Sequence, residues 1–566
     1  MKRNRSTFTL VSGLILAVLL NGCSSKFLDE IPLDRFSPEN FLVDEAGFEA
    51  ATVALYRAAR QEHVIGGNNF DYMNLGTDLV EWGRYDSRGF KDYHLLNSQH
   101  AAVEGYWRWA YEDMIRQCNL ILETLDDPEV QLSDEARKNF EAQAKFFRGY
   151  TYNVLATLYG GVPIVADVIS EPKFDFQRSS KEEVLQFVRQ DLEDASALLP
   201  IVGSVSDGRI YKAAAFHLLS EVYISLGMET NDASYFDRAI GAASKVIDGE
   251  AGEYQIMIER FGDLSRPGDV FSDLFYTNQQ NRASGNMEVI WSLQFESFTL
   301  GGGATFPGGN TVAGNNTPRW WFPEQEKIRT PNGSFNIAAD SLLRGIGVNS
   351  PLNYLKYDIW RLDPDDMRNS PYNIRRVFYY NNPDDPEYFG KPIRTALNDK
   401  GQRVIARKDG TLTNFVVDTL REYYPWIRKA DGNAFEDNIV GGQSENDLIQ
   451  MRLAETYLLR AEAYFRKGDL PNAAIDINVL RRRAQAILIN PEDVTIDFLL
   501  DERARELVME EPRRRTLARM GVLYERVKTY NPSSATSIQP HHELWPIPQS
   551  VIDSNKEAEM DQNDGY

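Results

Sequence analysis

The stretch "MRLAETYLLRAEAYFRKGDLPNAAIDINVLRRRAQA", residues 451–486, determines the fold prediction. Its apolar and small residues recur at the three- and four-residue spacing that places them on one face of a helix. Gly468 interrupts the pattern as a C-terminal cap does, and a second helical pattern begins after Pro471. The stretch therefore predicts two antiparallel helices, and its many alanines allow the helices to pack closely.

Three earlier segments show the same kind of helix pair. The segment "SEVYISLG", 220–227, aligns with "AEAYFRKG", 461–468, and a counterpart of the second helix follows it. The remaining pairs join 140–165 with 181–200, and 46–61 with 103–125. Such pairs resemble tetratricopeptide repeats, in which each pair buries its apolar face by stacking on the next. We therefore predict a mainly α-helical scaffold of stacked hairpins.

The composition changes in the middle of the chain, where Gly, Pro, Asn and Asp are frequent and strand-like stretches are short. This pattern predicts a large loop-rich insertion with short strands, held on the helical scaffold as binding loops commonly are. We divide the chain into a signal peptide, an N-terminal helical region, the insertion and a C-terminal helical region, with bounds 1–22, 23–250, 251–445 and 446–566.

The N-terminus predicts export and lipid attachment. Three basic residues precede an apolar stretch from Phe8 to Leu20, which is typical of a signal peptide and too short to span a membrane comfortably. The stretch ends in Leu20-Asn21-Gly22-Cys23 and resembles the lipobox of bacterial lipoproteins, in which the cysteine becomes the lipid-modified first residue. We therefore predict lipidation of Cys23, with lipid as the attachment to the membrane.

The charge of the chain disfavours nucleic acid as a partner. The formal net charge is −22, whereas nucleic-acid binders need clustered Lys and Arg. The two basic runs, Arg481–Arg483 and Arg513–Arg515, are short and lie in helical contexts that also contain acids, so we expect solvated helix faces with ion pairs. Cys118 lies in a helical pattern and is expected to be a buried, inert thiol.

The sequence offers few candidates for catalytic or metal-binding residues. The acidic clusters Asp363–Asp366 and Asp384–Glu387 lie in Pro-containing turns and are expected to be exposed, with a structural Ca²⁺ loop as the alternative. The sequence His541–Glu543 lacks the spacing of a zinc motif, and the Gly-rich stretch 301–316 lacks the Lys of a phosphate-binding loop. We therefore predict no catalytic residues, no metal site and no cofactor.

Several motifs resemble those of the SusD-like (RagB/SusD) outer-membrane lipoproteins of Bacteroidetes. They are "CSSKFLDEIP" after the lipobox, "AKFFRGYTYNVLATLYGGVPIV", the 451–486 stretch, "LLDERARELVMEEPRRRTLARMG" and the C-terminal "LWPIPQSVIDSNKEAEMDQNDGY". The resemblance implies a non-enzymatic protein on the outer leaflet of the outer membrane. Such a protein captures oligomeric nutrient, usually glycan, and delivers it to a partner SusC-like TonB-dependent β-barrel transporter.

Aromatic loops supply the candidate ligand residues. Sugar rings pack their CH faces on aromatic rings, and their hydroxyls need directional partners. Residues of this kind occur at 76–94, at "NNTPRWWFPEQ", 315–325, and later in the insertion, which gives Trp82, Tyr85, Arg88, Arg319, Trp320, Trp321 and Trp360 as candidates. Since side chains alternate along an extended segment, one of the adjacent Trp320 and Trp321 should face ligand while the other pins the loop.

Other tryptophans lie in regular patterns, and we expect Trp107, Trp109 and Trp291 to be core residues. Two further functions remain open at this stage. The same scaffold and loops suit an oligopeptide ligand, and a repeat-built scaffold can bind protein partners alone.

Overall fold

The structure is a computed structural model that describes residues 41–64, 72–203, 208–305, 312–339 and 343–566. The predicted signal peptide and Cys23 lie outside the described residues. Within those ranges, no helix combines the length and apolar character needed to span a membrane.

The predicted helical hairpins are present, and the mainly α fold class is confirmed. The helices before the insertion are α1 Glu45–Gln61, α2 Ala101–Arg108, α3 Arg116–Leu125, α4 Asp134–Tyr159, α5 Lys181–Leu198, α6 Lys212–Thr230 and α7 Ser234–Ile247. A π-helical segment, Trp109–Ile115, joins α2 and α3. The helices after the insertion are α11 Leu453–Lys467, α12 Leu470–Arg483, α13 Ile496–Leu507, α14 Arg513–Arg519, α15 Leu523–Tyr530 and α16 Gln549–Ser554.

The hairpin of the opening stretch forms as its sequence predicts. Gly468 ends α11 in the left-handed conformation, with φ of +84°, and the Asp469 side chain caps the start of α12. The aligned Gly227 has a different role, since α6 continues past it and the ring of Phe236 packs where a Cβ would stand. Successive helices from α4 to α7 pack on one another, and α11 packs on α7, so the C-terminal hairpin continues the N-terminal stack.

The middle of the chain contains only short elements among its described residues. Its helices are α8 Val270–Asp273, α9 Thr317–Trp321 and α10 Asn353–Lys356.

The strands among the described residues are short, and most of them lie in the insertion. They are β1 Val80–Trp82, β2 Val289–Leu293, β3 Ala304–Thr305, β4 Val312–Ala313, β5 Asn349–Pro351, β6 Ile374–Arg375, β7 Thr395–Leu397, β8 Arg403–Ala406, β9 Leu412–Val416, β10 Trp426–Ile427 and β11 Leu448–Arg452. They form antiparallel pairs β1–β5, β2–β11, β3–β4 and β6–β10, and a three-stranded sheet β7–β8–β9.

The β2–β11 pair attaches the insertion to the helical stack. β11 leads directly into α11, and β2 carries Trp291, whose buried ring makes edge contacts with Phe146, Phe147 and Tyr150 of α4. Trp291, Trp107 and Trp109 are all buried, which confirms the prediction that they are core residues. Cys118 is also buried and free, and burial raises the pKa of its thiol.

The predicted exposure of the two arginine runs is wrong except at Arg482, which is exposed. The predicted ion pairs are present and form a buried network, since four of the buried arginines pair with carboxylates, and the fifth, Arg514, donates to neutral oxygens. All three residues of Arg513–Arg515 are buried, as are Arg481 and Arg483. Asp363 and Asp366, expected in exposed turns, are buried as well; Arg481 binds Asp363 at 3.0 Å and Arg368 binds Asp366 at 2.6 Å. These two carboxylates are thus neutralised by guanidinium groups, which removes the basis for a Ca²⁺ loop there.

Glu506 of α13 lies at the centre of this network. Arg452 of β11 and Arg368 of the insertion reach its carboxylate at 2.6 and 2.9 Å, and Arg483 of α12 pairs with it as well. Burial alone would raise the pKa of Glu506, but the guanidinium groups outweigh burial and hold it well below its usual range. One carboxylate therefore ties together the helical stack, its junction strand and the insertion.

We predict that Glu506→Gln lowers the free energy of unfolding by about 3 kcal/mol or more, because it removes one of the negative charges that balance three buried guanidinium groups. Glu112→Gln is the matched control, since Glu112 forms an exposed pair with Arg108 at 3.7 Å, and such pairs contribute about 0–1 kcal/mol. Urea denaturation of both variants measures the difference. Equal stability of the two variants would contradict a central role for Glu506.

The network also predicts a loss of stability in acid. Burial would raise the pKa of Glu502, but Arg368, Arg505 and Arg481 outweigh it and lower the pKa from 4.5 to about 2. A depressed carboxyl pKa contributes stability above pH 4.5 that is lost as the pH falls towards 2. Denaturation at a series of pH values should show this fall, with a shallower slope in Glu502→Gln. An unchanged slope in that variant would exclude Glu502 as a source of the pH dependence.

Candidate ligand-binding site

The two aromatic segments around Trp82 and Trp320 meet on one strand of the insertion. β1 pairs with β5, which places Trp82 opposite Asn349. The Gly83 N–H donates to the carbonyl of Val348 at 2.8 Å, and the Val348 N–H donates to the carbonyl of Trp320 at 3.0 Å. Candidate residues more than 200 positions apart in sequence are therefore brought to one place.

The four candidate tryptophans are buried at this place and near it. Trp82, Trp320, Trp321 and Trp360 are 2%, 3%, 2% and 4% exposed. The indole N–H of Trp82 donates to Asp86 at 3.0 Å, and that of Trp360 donates to the carbonyl of Leu355 at 2.9 Å. In this structure these rings stabilise the loops from within, and they do not present an open flat face.

The side chains of the adjacent Trp320 and Trp321 do not alternate as those of an extended segment would, because their backbone is helical. Pro318 starts the single turn α9, and the Phe322 N–H closes it on the carbonyl of Pro318 at 2.9 Å. Side chains that follow one another in a helical turn do not alternate between two faces, so both rings turn into the core. Both side chains are therefore buried in this structure, whereas the sequence predicts that one is buried and the other faces ligand.

The other three candidates near this strand are polar or exposed. Tyr85 is 78% exposed, and its hydroxyl donates to Asp418 at 3.2 Å. Arg88 is exposed, lies 5.6 Å from the centre of the Trp82 ring and pairs with Asp86 at 3.2 Å. Arg319 is partly buried and donates to the carbonyl of Gly441 at 2.6 Å, so it holds the loop in place. Tyr85 and Arg88 are thus the candidates available to a ligand on this surface.

Trp360 lines a separate depression of the insertion surface, which we name the Trp360 groove. It encloses about 710 Å³ and is lined chiefly by aromatic and arginine side chains, namely Tyr357, Trp360, Arg361, Arg375, Arg376 and Tyr379. Clefts of several hundred Å³ with aromatic walls and a few polar groups are typical ligand sites.

A layer of packed rings supports this groove from below. β6 pairs with β10, so Arg375 lies opposite Trp426, and its guanidinium stands 4.7 Å from the centre of the Trp426 ring. Trp426 stacks on Phe322 with ring centres 4.7 Å apart and also contacts Phe378. Since Phe322 directly follows the pinned pair Trp320–Trp321, the buried tryptophans and the groove share one aromatic core.

Tyr357 and Tyr379 are the aromatic rings that the groove offers to solvent, with 47% and 52% of their surface exposed. Sequence reasoning missed both. Along 377–380 exposed and buried residues alternate, so Val377 and Tyr379 face outward while Phe378 and Tyr380 pack inward. Because all four of these residues are apolar or aromatic, the sequence "RRVFYY" does not show which of them are exposed.

The two candidate surfaces are joined by the segment 418–424. Its Asp418 accepts the hydrogen bond of Tyr85, and its Tyr423 makes an edge contact with Phe378, with ring centres 5.1 Å apart. Phe378 lies between Val377 and Tyr379 of the Trp360 groove. Tyr85 and the groove are therefore connected through this short segment.

Metal-binding geometry is missing from the described ranges, where no group of three or more His, Cys, Asp or Glu could hold an ion. In the second acidic cluster Asp385 is buried and hydrogen-bonds Asn332 at 3.2 Å and Thr330, whereas its neighbours Asp384 and Glu387 are exposed. In the 541–543 motif, Glu543 accepts the Tyr524 N–H at 2.8 Å, which gives it a structural contact.

Two family models match the sequence over most of its length. One, described as the SusD family, matches residues 287–566, and the other, described as starch-binding and associating with the outer membrane, matches residues 26–224. The chain belongs to the SusD-like family. This result confirms the resemblance that its sequence motifs carry.

Individual relatives are distant but cover nearly the whole chain. SusD-like protein P25 of Formosa agariphila is 25% identical over 96% of each chain. The starch-binding protein SusD of Bacteroides thetaiotaomicron is 23% identical over 98% of each chain. Among solved structures, surface glycan-binding protein A from Bacteroides fluxus is 18% identical, with a TM-score of 0.65 over 92% of this chain and 99% of that chain. At this identity the structural match shows a shared fold alone.

We expect the buried and exposed aromatic candidates to respond differently to truncation. Trp320→Ala should lower the free energy of unfolding by about 3–5 kcal/mol, because it opens a cavity in the core. Tyr85→Ala should change it by less than about 0.5 kcal/mol, because the ring is exposed. Chemical denaturation of the two variants measures the contrast. A stable Trp320→Ala variant would show that this indole is available for another role.

Proposed function

We propose that this SusD-like protein binds oligosaccharide or polysaccharide, with the Trp360 groove as its principal site. The observation that carries the proposal is an open groove with two exposed tyrosine rings and three guanidinium groups on a rigid aromatic base. One similar protein is named as starch-binding, and another is named as a surface glycan-binding protein. The chemistry of the groove suits the same class of ligand.

The groove supplies both kinds of contact that a sugar needs. The faces of Tyr357 and Tyr379 offer apolar surface to the CH groups of a pyranose ring, at a low entropic cost because tyrosine has few rotatable bonds. The guanidinium groups of Arg361, Arg375 and Arg376 are directional donors for hydroxyl oxygens. Tyr85 and Arg88 extend this surface beyond the groove and suit a ligand longer than the groove itself.

The ion pairs formed by two acids near the groove favour binding without catalysis. Glycoside hydrolysis needs two carboxyl groups that flank the scissile bond. The nearby Asp358 pairs with Arg361 at 2.7 Å, and Asp431 pairs with Arg428 at 2.6 Å, so both carboxylates are already held by guanidinium groups. We therefore propose a binding protein and no enzyme.

Delivery to a transporter completes the proposal. Lipidation at Cys23 would anchor the protein to the outer membrane, where a SusC-like TonB-dependent β-barrel would receive the glycan. The lipobox-like sequence supports the anchor, and the description of one matching family model mentions association with the outer membrane. The test is co-purification of the full-length protein with a β-barrel transporter from outer membranes, which should be lost in Cys23→Ala if the anchor brings the partners together. Persistent co-purification of the unanchored variant would contradict that role of the lipid.

We predict that Tyr357→Ala and Tyr379→Ala each weaken binding about tenfold to the oligosaccharide that scores highest on a glycan array, because each removes one stacking surface. Phe174→Ala is the matched control, since Phe174 is an exposed ring near the C-terminal segment, where its carbonyl accepts the Glu557 N–H. Calorimetric titration of the three variants gives the affinities. Unchanged affinity in both tyrosine variants would place the site elsewhere, with the Tyr85 surface as the next candidate.

A further inference from the structure

The side chains that line the Trp360 groove are basic or uncharged, although the protein as a whole is acidic. The chain carries a formal net charge of −22, with 83 acidic and 61 basic residues. The groove lining nevertheless includes three arginines and no aspartate or glutamate. Neighbouring acids are Asp358, which pairs with the lining residue Arg361, Asp431, which pairs with Arg428, and the exposed Asp365 beside the lining residue Pro364. The least neutralised positive charge is therefore that of Arg375 and Arg376, and positive charge in a groove of an acidic protein points to a ligand that carries negative charge.

Arg376 shows this excess most directly. Its guanidinium donates to the carbonyl of Lys356 at 3.1 Å, to the carbonyl of Asn369 at 3.2 Å and to the Asn369 side chain at 2.6 Å, all of which are neutral acceptors. No ion pair is formed by Arg376 within the described part of the chain. The side chain is thus oriented by its hydrogen bonds while its charge is not neutralised by a carboxylate.

Arg375 is only weakly neutralised. Its guanidinium lies 3.8 Å from Asp431, whereas Arg428 binds the same carboxylate oxygen at 2.6 Å. Partial burial lowers the pKa of both Arg375 and Arg376, since water stabilises their charge less well there. An anion placed in the groove would restore that stabilisation, and the planar guanidinium group matches carboxylate and sulfate oxygens in a bidentate manner.

We propose that the ligand of the Trp360 groove is an acidic glycan, with carboxylate or sulfate groups bound by Arg376, Arg375 and Arg361. The inference rests on the proposed glycan-binding function and adds the charge class of the glycan. Tyr357 and Tyr379 hold the sugar rings, and the arginines distinguish charged from neutral sugars.

The first test compares oligosaccharides that share a backbone and differ in charge. One pair is oligogalacturonate and its methyl ester; the other is chondroitin sulfate oligosaccharide and its desulfated form. Neutral starch and laminarin oligosaccharides and a polyglutamate peptide complete the set. We expect the wild-type protein to bind the charged member of at least one pair tenfold or more tightly than its less charged partner, with affinity falling as salt rises. The pair that responds identifies carboxylate or sulfate as the recognised group.

The second test removes single positive charges. Arg376→Gln and Arg361→Gln should each weaken binding of the preferred charged oligosaccharide about tenfold and leave binding of the less charged partner within twofold. Arg238→Gln is the matched control, because Arg238 is an exposed arginine beside a tyrosine, 5.3 Å from the ring of Tyr235. Arg361 is largely exposed, so its variant tests the charge even if Arg376→Gln perturbs the fold.

The outcomes separate this inference from the proposed function. Neutral oligosaccharides that bind as tightly as charged ones, with no effect of either arginine variant, would overturn the acidic-glycan inference and leave glycan binding intact. Binding of polyglutamate without binding of any charged glycan would overturn both. Binding of charged glycan that both arginine variants weaken would support both.

Discussion

The buried carboxylate of Glu506 is the constraint on which the architecture depends. It pairs with Arg452 at the junction strand, Arg368 in the insertion and Arg483 in the helical stack. Each of these charged groups would be costly to bury alone, so their shared pairing with Glu506 couples the three parts of the chain. The insertion is short of regular elements, and the ion network supplies the rigidity that long helices or sheets would otherwise give.

That network reaches the Trp360 groove directly. Arg368 precedes Asn369, whose side chain orients Arg376 at 2.6 Å. Arg505 of α13 donates to the carbonyl of Ile359 at 2.9 Å, immediately before Trp360. The positions of Arg376 and Trp360 are thus fixed through short covalent and hydrogen-bonded connections to buried charges. Preorganisation of this kind lowers the entropy that a protein loses on binding a flexible oligosaccharide.

The helices could be predicted from the sequence because their information is local, as in the spacing of apolar residues, Gly468 and Pro471. The environments of the arginines and tryptophans could not, because their partners are distant in the chain. Arg513 pairs with Asp78 at 2.7 Å, and Trp82 is buried by a strand near residue 350. From neighbouring residues alone, a run of arginines is predicted to be solvated and a loop tryptophan to be exposed to ligand. Only the tertiary structure shows that both are buried. The exposure of Tyr379 could not be predicted either, because its neighbours Phe378 and Tyr380 are also aromatic and only tertiary packing buries them.

We propose that buried aromatic and ionic groups hold a tyrosine- and arginine-lined groove in which an acidic glycan binds. A crystal structure of the protein with the charged oligosaccharide that it binds most tightly tests this proposal most directly. We expect a sugar ring stacked on Tyr357 or Tyr379 and an acidic group within hydrogen-bond distance of Arg376. An oligosaccharide bound elsewhere on the molecule, with the Trp360 groove empty, would contradict it.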